Sequence, residues 1–366
     1  MYQLYNSPVA CILFDMSKES ELKEYAYDLP EDRIATAPAV PRDTSRLFVH
    51  DTATGAVTFG IFKDIAEHIP RNAILVFNDT KVVPARVSLY KKTGGKVEAL
   101  FLVNEWSGRG PVRAMLSQGV AIGDTISADP AHVFTVLSSD THYFTMAPEF
   151  PSEELIPLLW QKGTMPIPKY IKQHGLSEDI VRMKYQSMFA VNEASVAAPT
   201  ASLHFTPEVL SSLAARSIEF APITLHVGSG TFAPVTEENI RTGSLHPERF
   251  DISARTAELI ASGKRAGRPI IAVGTTTTRA LESSASDILS GCASFGATSI
   301  FIRPPYRFKI VEGLITNFHL PQSSLMALVD AFLQNKHSSH SIIDLYTRAV
   351  KERFRFYSFG DSMLIL

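Results

Sequence analysis

The repeated order of apolar strand, polar loop and helix after about residue 195 constrains the fold more than any other feature of this chain. Apolar runs at 221–227, 268–273 and 313–318 each lead into a polar cluster, and helical segments follow the last two. Thr206 can cap a further helix, with Pro207 at its first position. Strands that alternate with helices are typical of parallel βα units. In such units the residues that carry chemistry gather at the carboxyl ends of the strands. We therefore expect an α/β unit resembling a TIM barrel, with its site at that end.

Residues 72–150 follow a different pattern. Seven short runs rich in β-branched and aromatic residues are separated by turn sequences such as Thr93-Gly94-Gly95 and Ile122-Gly123-Asp124. Evenly spaced short strands of this kind are typical of an antiparallel barrel or sandwich. The sequence therefore predicts an inserted antiparallel β-barrel domain at 72–150 and a discontinuous catalytic domain at 1–71 and 151–366.

The N-terminus and the cysteines favour the cytoplasm. The apolar stretch from Val9 to Phe14 is too short for a signal peptide or a membrane span. We interpret Met16 as an alternative start, and we expect residues 1–16 to be poorly ordered or absent from the native product. Cys11 and Cys292 form neither a disulfide framework nor a metal pattern, which fits a reduced compartment. We expect a cytoplasmic monomer without a membrane contact.

The overall charge argues against nucleic-acid binding through bulk charge, because the net charge is −2. Any RNA contact must come from local basic patches, and each patch has the alternative interpretation of a solvated face. The candidates are Lys91, Lys92 and Lys96; Arg303, Arg307 and Lys309; and Lys351, Arg353 and Arg355.

Two glycine-containing loops are candidates for ligand binding. GTTTTR at 274–279 follows a strand and opens a helix, so its free N–H groups and threonine hydroxyls can bind a carboxylate or a phosphate. Arg279, one turn into that helix, can pair with the same anion. The alternative is simple helix capping. Gly228 and Gly230 form a G-x-G that permits close approach of the backbone to a ligand, but the third glycine of a dinucleotide fingerprint is absent.

Three histidines stand at predicted strand ends or beside clusters of small residues: His204, His226 and His319. At this stage His226 is either a ligand contact or a core histidine. Asn78, Asp79 and Arg86 lie at the junction where the β-rich segment begins. The sequence has no H-x-H, no H-E-x-x-H and no paired cysteines, so we expect no metal. A serine-hydrolase elbow, G-x-S-x-G, is absent as well.

These motifs resemble, in order, the sequence blocks of one family, the S-adenosylmethionine:tRNA ribosyltransferase-isomerases of queuosine biosynthesis. The resemblance covers about residues 25–366. The matching blocks are YDLP (27–30), RDTSRL (42–47), FNDTKVVPAR (77–86), TGGKVE (93–98), KYQSMFA (184–190), SVAAPTASLHFT (195–206), TLHVGSGTFAPV (224–235), LHPERF (245–250), AVGTTTTRALES (272–283), IFIRPPYRF (300–308), LITNFHLP (314–321) and FRFYSFGDSMLI (354–365).

The resemblance implies a specific reaction. Members of the family act on tRNA that carries 7-aminomethyl-7-deazaguanine at the wobble position of a GUN anticodon. They move the ribosyl part of S-adenosylmethionine onto the aminomethyl group and rearrange it to the epoxycyclopentane of epoxyqueuosine, while adenine and methionine leave. The resemblance also implies an α/β-barrel-like catalytic domain with an inserted β-barrel. Departures from the family pattern are Ser202, Pro305 and the pair Thr277-Thr278.

This chemistry needs a base for the 5′ carbon that the sulfonium acidifies, and histidine suits proton transfer near neutral pH. We expect the base or acid to be His204, His226 or His319, without a ranking among them. The expected contacts of S-adenosylmethionine are Gly274, Thr275, Thr276 and Arg279 for the methionine carboxylate and Gly228, Gly230 and Thr231 for the nucleoside. The expected contacts of the RNA or its base are Asn78, Asp79, Arg86, Arg303 and Arg307.

Two other functions remain open from the sequence. One is a barrel-fold hydrolase or lyase that acts on a small nucleoside-like substrate without RNA. The other is a nonenzymatic RNA-binding module, against which the convergence of polar loops argues, because a binding module needs a basic stripe more than a deep pocket.

Overall fold

The computed structural model describes residues 22–117, 119–140, 143–167, 176–228, 230 and 235–366. The interpretation of residues 1–16 therefore lies outside the described residues, as does Thr231. No helix within the described part of the chain is both long and apolar enough to cross a membrane.

The elements are numbered in chain order. The strands are β1 (Arg46–His50), β2 (Val57–Ile61), β3 (Ile74–Asn78), β4 (Thr80–Val82), β5 (Arg86–Lys91), β6 (Lys96–Phe101), β7 (Val112–Leu116), β8 (Thr125–Asp129), β9 (His132–Asp140), β10 (Tyr143–Pro148), β11 (Asn192–Ser195), β12 (Glu219–Leu225), β13 (Ser244–Ile252), β14 (Ile270–Val273), β15 (Ser294–Ile300), β16 (Gly313–Asn317) and β17 (Ser362–Ile365).

The α-helices of the described residues are α1 (Leu155–Lys162), α2 (Glu178–Lys184), α3 (Pro207–Ala214), α4 (Glu237–Thr242), α5 (Ala254–Arg265), α6 (Thr275–Ser283), α7 (Ala285–Leu289), α8 (Ser324–Asn335) and α9 (Ile342–Lys351). Short 3₁₀ helices span Lys23–Tyr25, Glu31–Arg33, Arg42–Thr44, Phe62–Glu67, Ser152–Glu154 and Thr200–His204.

The larger unit is built on a mixed sheet of nine strands in the order β15-β13-β12-β3-β14-β16-β17-β1-β2. Its centre, β12 to β16, is parallel, and the βα repeat predicted from the sequence is confirmed there. On one side of this centre, β13 pairs antiparallel with both β12 and β15; on the other, β17 pairs antiparallel with β16 and parallel with β1. The prediction of a TIM-like barrel is therefore corrected to an open mixed sheet, because a TIM barrel requires eight parallel strands closed into a ring.

Both faces of this sheet are covered. Along β14, Ile270 and Ala272 pack into one apolar core with helices α5, α6, α8 and α9, whereas Ile271 and Val273 pack into a second core with α3 and Phe62. Successive side chains of a strand point to opposite faces, so a strand covered on both sides must be apolar throughout. This explains the uninterrupted apolar runs in β3, β14 and β16.

The smaller unit is a closed antiparallel barrel of six strands in the order β10-β7-β6-β5-β8-β9. In β5, Val87 and Leu89 are buried, whereas Ser88 between them is partly exposed and Tyr90 after them is exposed. This alternation is expected for strands with one face in a barrel core and the other in water. Six of the seven runs predicted as strands in this region form the barrel.

The predicted boundaries of the inserted domain need two corrections. The first run, β3, belongs to the large sheet, where it lies between β12 and β14. Its continuous apolar pattern, rather than an alternating one, is the physical sign of that position. At the other end, α1 packs Leu155, Leu158 and Leu159 into the barrel core, although the sequence placed it in the catalytic domain.

Two predicted helix starts are confirmed. Thr206 caps α3, because its hydroxyl accepts a hydrogen bond from the Val209 N–H and Pro207 occupies the first turn. The loop after β14 opens α6, with Gly274 at the N-cap. The ends of the parallel strands β14 and β16 therefore lie side by side, where the sequence predicted the site.

Candidate functional site

A first cavity lies at the carboxyl ends of β14 and β16. It encloses about 760 Å³ with its open mouth included. Its wall combines the start of α6, the segment after β16, part of the small-residue segment before His204, and the turn before β17. The lining residues are Ala198, Pro199, Thr200, Ala201, Val227, Gly274, Thr275, Thr276, Thr316, Asn317, Phe318, His319, Leu320, Ser323, Leu325, Tyr357 and Ser358.

The start of α6 forms one corner of this cavity. Gly274 has a φ of 92°, a left-handed conformation that favours glycine, and it turns the chain from β14 into the helix. The Thr277 and Thr278 hydroxyls donate to carbonyls of the preceding turn. The Thr276 hydroxyl is buried, lines the cavity and has no hydrogen-bond partner. A helix N-terminus with a free hydroxyl beside it is suited to a carboxylate.

His319 is the one predicted histidine of the three that lines the first cavity. Its Nδ1 lies 3.1 Å from the Tyr346 hydroxyl, and its Nε2 lies 3.2 Å from Thr316 Oγ1. The Tyr346 oxygen accepts the His319 backbone N–H, so its own proton is available for Nδ1 and the ring proton is assigned to Nε2. Burial lowers the pKa of His319 to about 3. The ring is therefore neutral at pH 7, able to accept a proton but only as a weak base.

His204 stands behind the cavity wall rather than in it. Its Nε2 accepts from the Asn317 amide at 3.2 Å, and its Nδ1 lies 2.9 Å from the Ser45 hydroxyl. Asn317 in turn accepts from Thr200, and both of these residues line the cavity. Burial lowers the pKa of His204 to about 4. His204 is thus a positioning residue that orients Asn317.

A second cavity, of about 590 Å³ with its open mouth included, lies between the barrel and the large sheet. The barrel contributes Asn104, Glu105 and Tyr143. The sheet unit contributes Gly228, Gly230, Leu245, His246, Pro247, Glu248, Arg279, Phe301, Ile302, Ser324, Leu325 and Leu328. Leu325 lines both cavities, and Val227 and Gly228 are consecutive residues on either side of the division. The two cavities are therefore neighbours.

The two glycines of the G-x-G loop are required by close packing in the second cavity. A Cβ on Gly228 would lie 2.8 Å from Asn104 Nδ2, and one on Gly230 would lie 2.6 Å from His246 Cδ2. The loop thus approaches side chains of this protein. The residues predicted to contact S-adenosylmethionine are consequently split, with Gly274, Thr275 and Thr276 in the first cavity and Gly228, Gly230 and Arg279 in the second.

Arg279 is held by a buried ion pair. One guanidinium nitrogen, Nη1, donates to Glu248, and Nε donates to the Ile300 carbonyl at 3.2 Å. Glu248 also accepts the Gly228 N–H at 2.9 Å. The sequence predicted that Arg279 pairs with an anion at the start of α6. In the structure the guanidinium instead pairs with Glu248 of β13, and both side chains line the second cavity. The remaining nitrogen, Nη2, is buried without a partner.

His226 and Asp79 meet in a third place, an outer depression beside β4, β11 and β12. His226 Nδ1 lies 2.9 Å from the Thr80 hydroxyl, and burial lowers its pKa to about 4. Asp79 accepts from Thr224 at 2.6 Å and from Asn192 at 3.0 Å. The structure therefore does not bring His226 together with His204 or His319.

The other residues predicted for RNA or base binding lie outside these cavities. Asn78 is fully buried, and its side-chain amide forms hydrogen bonds with backbone groups of Leu225 and Thr80. Its role is therefore structural. Arg86 begins the first barrel strand, and burial lowers the pKa of its guanidinium. Arg303 donates to the Ile240 carbonyl, whereas Arg307 is exposed.

Asn104 is one of several residues of the second cavity that the sequence did not single out. It is 2% exposed, and its Oδ1 has no partner. The one available signal was a polar residue directly after the apolar run 99–103. Glu282, next to the predicted loop, has a structural role, because it accepts the backbone N–H groups of Lys309, Ile310 and Val311.

Within the described residues, no group of three or more histidine, cysteine, aspartate or glutamate side chains is arranged to hold a metal ion. The expectation of a metal-independent activity stays a prediction.

The chain is similar to proteins of one family along nearly its whole length. The model of the family described as queuosine biosynthesis protein matches residues 22–365. A Pelobacter propionicus protein named S-adenosylmethionine:tRNA ribosyltransferase-isomerase is 40% identical over 347 residues, which cover 94% of this chain and 99% of that protein. A protein of the same name from Thermotoga petrophila is 38% identical over 346 residues, and the alignment covers 94% of this chain and 100% of that protein.

The fold is similar as well. The crystal structure of an S-adenosylmethionine tRNA ribosyltransferase from Thermotoga maritima aligns with a TM-score of 0.53 at 31% sequence identity. The alignment covers 94% of this chain and 100% of that chain.

Proposed function

The chain belongs to the queuosine biosynthesis protein family, and from that premise we propose that it is a tRNA-modifying ribosyltransferase-isomerase. It transfers the ribosyl part of S-adenosylmethionine to 7-aminomethyl-7-deazaguanine at the wobble position of tRNA and rearranges it to epoxyqueuosine. Adenine and methionine are released. The tRNA carries a GUN anticodon, and the protein works in the cytoplasm as a monomer.

The observation that carries the proposal at the level of the site is the first cavity. Its anion-binding corner, formed by Gly274, Thr275 and Thr276, fits the methionine carboxylate, which the helix N-terminus and the partnerless Thr276 hydroxyl stabilise. The remainder of the wall is largely apolar, with Phe318 and Leu320 among its residues, and fits the adenine ring. The donor substrate thus occupies the ends of β14 and β16.

His319 is the residue we assign to proton transfer from the 5′ carbon of the donor. The geometry supports it over His204, which reaches the cavity only through Asn317, and over His226, which lines the outer depression. Its hydrogen bonds to Tyr346 and Thr316 fix the ring plane, and burial keeps the ring neutral. The unprotonated nitrogen, Nδ1, accepts a hydrogen bond from the Tyr346 hydroxyl in the free protein, so it takes the substrate proton after exchanging that bond.

The proposal is tested by incubating the protein with S-adenosylmethionine and tRNA that carries the aminomethyl precursor. Adenine and methionine should appear in equal amounts, and only when the tRNA is present. Formation of S-adenosylhomocysteine would show methyl transfer instead. Turnover of the free nucleoside in preference to tRNA would favour the small-molecule hydrolase or lyase.

A further inference from the structure

We propose that the second cavity binds the acceptor base of the RNA, with Arg279 and Asn104 forming hydrogen bonds to the polar edge of that base. The proposal rests on the proposed function. It concerns a cavity built by both units of the protein, since Asn104 and Tyr143 come from the barrel and Arg279 and Phe301 come from the sheet unit.

The first observation is a pair of unsatisfied polar atoms in one cavity wall. Arg279 Nη2 is a buried donor without a partner, and Asn104 Oδ1 is a buried acceptor without a partner. Arg279 is 5% exposed and Asn104 is 2% exposed. Leaving such a group unpaired costs about 1–3 kcal/mol. A ligand that offers an acceptor and a donor would satisfy both atoms at once.

The lactam edge of a guanine-type base has this pattern, because its keto oxygen accepts and the neighbouring ring N–H donates. Arginine is the side chain that most often recognises the keto oxygen of such bases. Tyr143 and Phe301 line the same cavity, and aromatic rings are the surfaces on which extruded bases stack. The cavity therefore combines polar-edge contacts with an aromatic wall.

The charges of the cavity fit the substituent of the acceptor. Glu248 and Glu105 both line it, the first paired with Arg279 and the second with Arg113. A primary aminomethyl group is a cation near neutral pH, as a lysine side chain is, and nearby carboxylates stabilise it. Among the described residues, the wall of the first cavity has no acidic or basic side chain other than His319, so the two cavities differ in the substrate they suit.

The position of the second cavity fits an acceptor that is part of a large molecule. It is bordered by the barrel on one side, whereas every described residue that lines the first cavity comes from the sheet unit. Leu325 belongs to both walls, so a base in one cavity and a ribosyl donor in the other meet at their common border. A transfer reaction requires this adjacency of its two substrates.

The test uses Asn104→Ala, with Ser88→Ala as the matched control in the barrel, where the serine hydroxyl donates to Glu98 outside both cavities. Because Asn104 Oδ1 has no partner in the free protein, its removal should leave the thermal unfolding temperature unchanged. The KM for precursor-bearing tRNA should rise about tenfold, the value of one hydrogen bond, while calorimetry gives an unchanged affinity for S-adenosylmethionine. Ser88→Ala should change neither quantity.

Three results would overturn the inference. A loss of S-adenosylmethionine affinity with an unchanged KM for tRNA would assign the cavity to the adenine of the donor. Unchanged values for both substrates would place the acceptor base elsewhere. A lowered unfolding temperature would show that Asn104 serves the fold.

A binding measurement separates this inference from the proposed function, because it needs no turnover. Fluorescence anisotropy without S-adenosylmethionine compares precursor-bearing tRNA with the same tRNA carrying adenine at that position. The wild-type protein should bind the precursor-bearing tRNA more tightly than the tRNA carrying adenine. In Asn104→Ala the ratio of these two affinities should be about tenfold smaller. An undiminished preference in Asn104→Ala contradicts the inference, whereas absence of ribosyl transfer by the wild-type protein contradicts the proposed function.

Discussion

The first and second cavities share a wall at Leu325, but the polar groups that line them differ in charge. The first has neutral hydroxyl, amide and imidazole groups around a helix N-terminus, and the second has the buried pair of Arg279 and Glu248. The first depends on a single folding unit, and the second needs both. Residues that the sequence grouped by similar chemistry are therefore divided between two cavities of different polarity.

The largest effect is expected from breaking the ion pair of the second cavity. Glu248→Ala leaves the Arg279 guanidinium buried without its anion, and such a loss costs about 3–5 kcal/mol of unfolding free energy. Urea unfolding measures it. Replacing both residues, as Glu248→Leu with Arg279→Met, should restore most of the stability, because an apolar pair of similar volume packs without an unpaired charge. An unfolding free energy of Glu248→Ala equal to that of the wild type would contradict the assigned pair.

The next effect belongs to the first cavity alone. His319→Gln keeps much of the side-chain shape but removes the proton acceptor, so single-turnover release of adenine should fall about a hundredfold. Calorimetry should show little change in the affinity for S-adenosylmethionine. His132→Gln in the barrel, where the histidine pairs with Asp129, is the matched control. Normal turnover of His319→Gln would show that another group accepts the proton.

A smaller effect is expected at the start of α6. Thr276→Val keeps the volume and removes the hydroxyl that has no partner in the free protein, so stability should be unchanged. The affinity for S-adenosylmethionine should fall about tenfold, as for the loss of one hydrogen bond to a carboxylate. Thr278→Val is the control, because its hydroxyl bonds to the Gly274 carbonyl of its own helix. Equal affinities of Thr276→Val and Thr278→Val would show that the corner is only a helix cap.

The smallest effect is a pH dependence of the unfolding free energy. It arises from His204, the buried histidine behind the wall of the first cavity. Burial lowers the pKa of His204 to about 4, whereas an unfolded histidine titrates near 6.5. Between these values the unfolded chain binds a proton that the folded chain does not, so stability falls as the pH falls from about 6.5 toward 4. One such histidine contributes at most about 1.4 kcal/mol per pH unit. His204→Gln should flatten the dependence of the unfolding temperature on pH, and an unchanged slope would contradict the burial of a neutral ring.

Local sequence chemistry predicted much of this architecture. The alternating runs gave six barrel strands, Thr206 and Pro207 gave the start of α3, and the loop 274–279 gave the start of α6. These features depend on residues close together in the chain, so propensity and capping suffice to find them. The open sheet could not be found in this way, because the direction of β13, β15 and β17 depends on pairing with distant strands.

The site was predicted less completely for the same reason. Gly274 and His319 follow adjacent parallel strands, and the rule for strand ends placed them together. Arg279 appeared to belong with Gly274, but Glu248, 31 residues earlier in the chain, determines where its guanidinium lies. Asn104 comes from the barrel, and no local pattern shows that it faces the loop containing Gly228.

The central claim is that the ribosyl group, and not the methyl group, leaves S-adenosylmethionine for the RNA. The most direct measurement uses S-adenosylmethionine labelled with ¹³C in the ribosyl ring, with mass spectrometry of nucleosides from precursor-bearing tRNA after the reaction. The modified wobble nucleoside is expected to carry all the labelled ribosyl carbons. Recovery of the label only in S-adenosylhomocysteine, with none in the tRNA, would contradict transfer of the ribosyl group.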